Sequence, residues 1–354
     1  MDDNNEYLHK IGGPTQSTLS SLVYIVGTAR GGTTLFQRMV GIHQQVLTFP
    51  GPTHFMSQVW PYRKKVHDRL FVQIFRMPTF YDEDAAVRTI YPDGSERLNE
   101  LRRLINQRLR GRHLRLMWQL YPLIYSLTNK KIKPPHSLKC WVDKTTSSSN
   151  LNSIARYFPT AKFIFIIRDP RSAVTSLAKR ATAMSRYSDS ALIDKGKLIE
   201  SSIHWRYTMQ KILYFYRNHP TSCLKVYYED LLVNPTTNLN NVFRFIEINT
   251  LSEPTIQNKI SQLPFKRSND YSIGPTGLGL KSDTTDSWKA QLSHVELDLI
   301  KTITGKTARK LGYEIGGPNT KLTTFSILEQ LSGSKTKVVV LLKLIFLSVF
   351  ELLV

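Results

Sequence analysis

The sequence predicts an α/β fold, a doubly wound parallel sheet flanked by helices, from three observations. Short apolar runs stop where turn or charged residues begin: LVYIV (22–26) at Gly27, KFIFII (162–167) at Arg168-Asp169-Pro170, and LKVYY (224–228) at Glu229-Asp230. The IFII core of the second run has no polar alternation, as expected of a strand covered on both faces. Helical stretches follow these runs. TTLFQRMVGI (33–42) places Leu35, Met39 and Ile42 on one face, and RSAVTSLAKRA (171–181) follows the second strand. Strand alternating with helix is the signature of a parallel sheet with helical crossovers. VLTF (46–49) and KCWV (139–142) are weaker strand candidates.

The 354 residues suit one large domain with insertions, or at most two. Hydrophobic residues at 41% and aromatics at 10% can build a core, which excludes disorder as the main class. Two cysteines, Cys140 and Cys223, exclude a disulfide scaffold and a four-cysteine zinc site, and leave one bridge open. With 48 Lys and Arg against 27 Asp and Glu, the formal charge is +21, which points to anionic partners: phosphates, sulfates, acidic sugars, nucleic acid or a membrane surface.

Residues 1–20 are polar, lack an apolar run and read as a leader without a secretory signal, which places the expected location in the cytoplasm. A main domain is expected over 21–316. Within it, 60–135 reads as a basic helical insertion; RRLINQRLRGRHLR (102–115) carries six arginines. The insertion either covers an acceptor site or presents a solvated helix face. Residues 317–337 read as a polar linker. The apolar stretch 338–354 is interrupted only by Lys343, Ser348 and Glu351. It falls short of the ~20 residues a spanning helix needs. Two readings stay open: a helix lying on a membrane, with Lys335 and Lys337 against anionic headgroups, or one docked on the domain or a second subunit.

The most informative segment is LVYIV-GTARGGTTLFQRMV. A buried strand enters Gly27, then Arg30-Gly31-Gly32-Thr33-Thr34 opens a helix. The Gly27-to-Gly32 spacing is that of a phosphate-binding loop, but Thr33 stands where the lysine belongs. Glycines still let backbone N–H groups approach an anion, and the first helical turn offers unpaired donors and about half a positive charge. Without the lysine, triphosphate hydrolysis fits poorly and a single 5′-phosphate-like group fits better. Arg30 is the local cation. A second strand, KFIFII, delivers Arg168 to its carboxyl end, with Ser176 two turns into the next helix. Ligands of open α/β sheets bind at that edge, where an Arg and a hydroxyl can hold a second phosphate. The bland alternatives are a glycine turn that merely starts a helix and an Arg168–Asp169 ion pair.

Together these segments resemble the sulfotransferases that use 3′-phosphoadenosine 5′-phosphosulfate (PAPS). The run Arg30 to Leu35 is similar to the 5′-phosphosulfate loop of that family, with Gly31 where serine is usual. RDPRSAVTS (168–176) resembles its 3′-phosphate motif. VYYEDLLVNP (226–235) resembles the segment whose tyrosine, here Tyr228, lies near the adenine. WVDKT (141–145) is similar to the stretch of the bacterial and protein-tyrosine branches that supplies a site lysine, here Lys144. SWKAQLS (287–293) with LGYE (311–314) resembles the segment that closes over the nucleotide, which would place Trp288 and Lys289 against it; Asp286 departs from the serine of the protein-tyrosine branch. Lys281 is a second candidate for the 3′-phosphate. The resemblance covers roughly 21–316 and implies a P-loop-kinase-like fold, sulfuryl transfer from PAPS to a hydroxyl or amine, and no metal.

The protein-tyrosine branch carries a catalytic glutamate shortly after the first helix. This chain has Pro50, Gly51 and Pro52 there, and His54 is the base-capable side chain nearby. An imidazole suits the task at neutral pH; the alternative is a loop histidine beside Phe55. The expected catalytic set is His54, Lys144 and Arg30. Gly31, Gly32, Thr33, Thr34, Leu35, Arg168, Ser176, Tyr228, Trp288 and Lys289 join Arg30 in holding PAPS. His43, expected at the exposed end of the first helix, and His204, beside Trp205, read as structural. The acceptor (carbohydrate, lipid, phenol or peptide) is open. The alternatives are a P-loop nucleotide kinase, disfavoured by Thr33 in the lysine position and by the lack of an evident magnesium carboxylate, and a non-enzymatic anion- or nucleic-acid-binding module, which explains the basic insertion but not the paired strand-end motifs.

Overall fold

A computed structural model describes residues 21–48, 137–146, 148, 150–184, 193–263, 285–318, 323–331 and 334–350. The leader, the insertion at 60–135, His54 and Lys281 lie outside the described residues.

Five parallel strands form one sheet in the order β2-β3-β1-β4-β5. They are β1 (Ser21–Gly27), β2 (Val46–Thr48), β3 (Cys140–Thr145), β4 (Lys162–Ile167) and β5 (Cys223–Tyr227). Helix α1 (Thr33–Val40) follows β1, α2 (Leu151–Tyr157) follows β3, and α3 (Pro170–Met184) and α4 (Lys195–Asn218) lie between β4 and β5. Then come α5 (Tyr228–Val233), α6 (Pro235–Phe245), α7 (Glu253–Ser261), α8 (His294–Lys310), α9 (Thr324–Glu329) and α10 (Ser334–Phe350).

The sheet is buried on both faces, which is why its strands lack alternation. Leu22, Tyr24 and Val26 of β1 and Phe163, Phe165 and Ile167 of β4 join the core under α3, α4 and α8. Val23 and Ile25, with Ile164 and Ile166, join the opposite core under α1, α6 and α7. β1 pairs with β3 on one side and β4 on the other, with Gly27 opposite Ile166. Because every strand is parallel, the three segments singled out in the sequence leave the sheet at one edge.

Several local expectations are corrected. Of the face expected on the first helix, Met39 and Ile42 are buried while Leu35 is only half-buried, and Phe36 and Val40 are the other buried apolar positions of α1; the sheet above it, not the helical wheel alone, selects the face. β5 ends at Tyr227, and Tyr228 opens α5. β3 runs on to Thr145, so Lys144 is a strand residue. His43 is buried rather than exposed. Its Nδ1 accepts from the Gln45 N–H at 3.0 Å and its Nε2 bonds the Asn249 carbonyl at 2.9 Å, so the ring is a structural strut in its neutral form. His204 is likewise structural: burial, then the charge of Lys343, lower its pKa. Cys140 and Cys223 are buried thiols that form no disulfide, and burial pushes the Cys223 thiol up to about 12, so Cys223 is not poised as a nucleophile. The stretch read as a linker contains α9, and the apolar tail begins as α10 at Ser334.

Candidate active site

The two strand-end motifs meet. The Nη1 of Arg168 donates to the Arg30 carbonyl at 3.0 Å, and the Nε of Arg30 donates to Ser176 Oγ at 3.1 Å. Arg168 therefore spans from the end of β4 to the loop after β1, and Ser176 of α3 faces the same space. The bland ion-pair reading fails. Asp169 binds Arg171, not Arg168, through contacts of 2.5 Å to 3.1 Å from the guanidinium. It also accepts the Arg171 N–H at 2.7 Å, as a helix cap does, ahead of Pro170 in the first turn of α3.

The loop earns its shape from two left-handed residues. Arg30 has φ 63° and Gly32 has φ 94°, and the Gly31 N–H closes the turn on the Thr28 carbonyl at 2.9 Å. Such alternation turns successive N–H groups toward one concavity, which favours an anion. A Cβ on Gly32 would lie 2.3 Å from the Tyr228 ring, so the ring rests directly on the loop. Gly31 has a local reason too: a Cβ there would lie 2.9 Å from the Thr28 carbonyl. A serine at this position needs a slightly wider turn than this chain makes.

Tyr228 is buried, with the Arg168 guanidinium 4.3 Å from its ring centroid. Stacked on both Gly32 and Arg168, the ring ties the two anion sites together. We expect Gly32→Ala to cost ~1–2 kcal/mol for the left-handed backbone alone and to displace Tyr228 as well. Thermal melting and calorimetric titration with adenosine 3′,5′-bisphosphate (PAP) should show a lowered Tm and affinity reduced at least about tenfold, the equivalent of ~1.4 kcal/mol. Unchanged values in both would show that the loop is not built around that glycine.

Lys144 reaches the start of α1. Its Nζ donates to Thr34 Oγ1, and its backbone N–H donates to the Asp143 carboxylate at 2.7 Å. Burial, then the charge of Arg38, lowers its pKa to about 8, against the opposing pull of Asp143. A buried ammonium beside a helix N-terminus is a strong electrostatic probe of any anion there.

Several supporting residues carry no motif of their own. The Trp205 indole donates to the Arg168 carbonyl at 3.1 Å. Glu229 accepts the Asp169 N–H at 3.0 Å and the Tyr313 hydroxyl at 2.8 Å. Burial, then the Glu229 charge, raises the Tyr313 pKa, which keeps that hydroxyl a donor. These contacts fix the backbone that carries Arg168. No sequence signal distinguishes Trp205 from other core aromatics.

The C-terminal segment is only partly where it was expected. Trp288 is buried, with the Arg171 guanidinium 4.6 Å from its ring, and Ser172 Oγ donates to the Thr285 carbonyl. Lys289 is exposed and pairs with Asp286 at 2.8 Å. The structure thus joins Arg30, Gly31, Gly32, Thr33, Thr34, Lys144, Arg168, Ser176 and Tyr228. Trp288 and Lys289 stand at the Arg171 side, and Leu35 is half-buried against the core. Among the described residues no group of three or more His, Cys, Asp or Glu could hold a metal ion.

The model of the sulfotransferase family matches residues 23–253. The chain belongs to that family. A putative protein-tyrosine sulfotransferase of Caenorhabditis elegans is 33% identical over 98 residues, which cover 28% of this chain and 36% of that protein. The chain thus spans about a third of that nematode relative. Protein-tyrosine sulfotransferase 2 of Gallus gallus is 22% identical over 303 residues, covering 83% of this chain and 69% of that one. Among solved structures, the sulfotransferase domain of the Synechococcus PCC 7002 olefin synthase superposes with a TM-score of 0.54 at 18% identity, over 84% of this chain and 96% of its own. The sulfotransferase domain from the curacin biosynthetic pathway gives 0.54 at 16% identity, over 84% and 99%. These likenesses establish the five-stranded parallel fold as that of sulfotransferase domains.

Proposed function

We propose that this protein transfers a sulfuryl group from PAPS to an acceptor hydroxyl by in-line displacement. The observation that carries the reading is the Arg168-to-Arg30 hydrogen bond, which makes one cradle of two anion-binding strand ends. Arg168 and Ser176 hold the 3′-phosphate. The N–H groups of Gly32, Thr33 and Thr34 hold the 5′-phosphate. The S–O bond to the bridging oxygen breaks as the acceptor oxygen bonds sulfur, and PAP leaves with the electron pair. Lys144, with Arg30, stabilises the charge growing on that bridging oxygen. Trp288 and Lys289 close the nucleotide side. A kinase is disfavoured by Thr33 in the lysine position and by the family assignment.

His54 accepts the proton of the acceptor. The similarity to protein-tyrosine sulfotransferases favours a phenolic hydroxyl, and the basic insertion suits acidic residues around it. A positioned base contributes ~10²–10⁴-fold, so we expect His54→Ala to lower turnover by that range with PAP affinity unchanged in calorimetry. A loss of affinity equal to the loss of turnover would remove His54 from this role.

The deciding experiment incubates the protein with ³⁵S-labelled PAPS and a panel of tyrosyl peptides, saccharides, phenols and lipids. Label on an acceptor, dependent on Arg30 and Arg168, is the expected result. PAP binding without transfer to any member of the panel would count against the enzyme reading. We read residues 338–354 as a contact with a membrane surface, since Leu342, Ile345 and Phe346 of that stretch are exposed apolar side chains; among the described residues no helix is long and apolar enough to cross a membrane.

A further inference from the structure

We propose that α10 docks the enzyme on an anionic lipid surface through its outward face; the inference rests on the membrane-surface reading just given and names the face and the lipid. The inner side of α10 is committed to the protein. Val340, Leu344 and Leu347 are buried in the core shared with α4, and the Gln210 amide donates to the Leu347 carbonyl at 3.3 Å. The outer side carries Val338, Val339, Leu342, Ile345, Phe346 and Val349, each between 48% and 60% exposed. At about 100° per residue these six fall within a stripe roughly 120° wide. Phe325 of the neighbouring α9 adds a further apolar side chain, 70% exposed.

Cations stand along one edge of this stripe. Lys343 is exposed and falls about 100° from the stripe's centre, at its rim. Lys211 stands 5.7 Å from the Tyr207 ring centroid, and that ring lies 6.4 Å from Phe346. Apolar side chains edged by lysines match an acyl surface below a layer of anionic headgroups, with the lysine stems lying along the boundary. The same charge argues against a second copy as occupant. Two chains of +21 repel, and burying the stripe between them desolvates the lysines beside it. An anionic bilayer reverses the sign of that long-range energy, by about 1 kcal/mol per basic side chain near the surface.

The test uses the full chain and vesicle sedimentation with phosphatidylcholine alone or mixed with phosphatidylserine. Pelleting with the mixed vesicles, weakened at least about tenfold in the Leu342→Gln/Phe346→Gln variant, is expected. Lys343→Gln should weaken it about fivefold, matching ~1 kcal/mol. Both substitutions keep good helix formers at exposed positions, and unchanged melting and PAP affinity show that the domain is intact. Equal pelleting with neutral and anionic vesicles would overturn the headgroup assignment and leave the surface contact standing. No pelleting with either, or dimers by light scattering that the double variant dissociates, would overturn the membrane reading itself.

Discussion

Arg168→Ala is expected to weaken PAP binding about a hundredfold or more and to leave binding of adenosine 5′-monophosphate nearly unchanged. The Arg168 side chain is buried at the carboxyl end of β4, its guanidinium held by the Arg30 carbonyl and the Tyr228 face, while its backbone carbonyl accepts from the Trp205 indole. A charge-assisted hydrogen bond contributes ~1.5–3 kcal/mol, and a fork that meets a phosphate through two of them reaches ~3 kcal/mol, a hundredfold in Kd. Arg168→Lys keeps the charge but loses the fork, and should fall between the two. Comparing the two nucleotides separates a lost phosphate contact from a damaged fold, because a collapsed loop would weaken both alike. Equal PAP affinity in wild type and Arg168→Ala would dissolve the single-cradle reading, and with it the case for PAPS.

Much of this cradle was legible because its chemistry is local. Gly27, Gly32, Thr33 and Thr34 lie in one short run, and the parallel fold brings Arg168 beside them without long-range detail. The unalternating KFIFII run announced a strand buried on both faces, and the structure places α3, α4 and α8 on one side with α1, α6 and α7 on the other. What stayed hidden depended on packing between distant segments. Tyr228 was readable as a strand end near a nucleotide, but not as a plate resting on Gly32, because that requires α5 to begin one residue earlier than the apolar run suggests. Trp205 and Tyr313 act through single hydrogen bonds made across more than thirty residues of chain. His43 read as an exposed helix end and proved buried, since Asn249, two hundred residues away, folds over it. The apolar tail left two readings open, and α10 satisfies part of each: one side docks on α4 while the other faces outward.

Lys144→Met should lower turnover by ~10²–10³, the cost of removing one donor aimed at developing charge, while raising thermal stability near neutral pH. The two effects share one cause. Burial holds the Lys144 pKa at about 8 against an ordinary 10.5. Below pH 8 the lysine is charged in both folded and unfolded chains, so the native state carries the full cost of burying an ammonium. Between about 8 and 10.5 the native protein gives up the proton first and unfolding takes one up, so wild-type stability rises with pH across that window. The whole span corresponds to at most about 3 kcal/mol. The methionine variant carries no such charge, so its advantage should be largest near neutrality and disappear in alkali. Catalysis runs the other way: kcat/KM should fall as pH rises through about 8 and the ammonium is lost, and the variant should lack that limb. A bound phosphosulfate favours the protonated amine, so the corresponding limb in kcat should lie at higher pH. Melting curves and initial rates across this range measure both. If the variant lost activity yet kept the alkaline limb, or melted lower at every pH, Lys144 would be a structural residue and the charge on the bridging oxygen would need another partner.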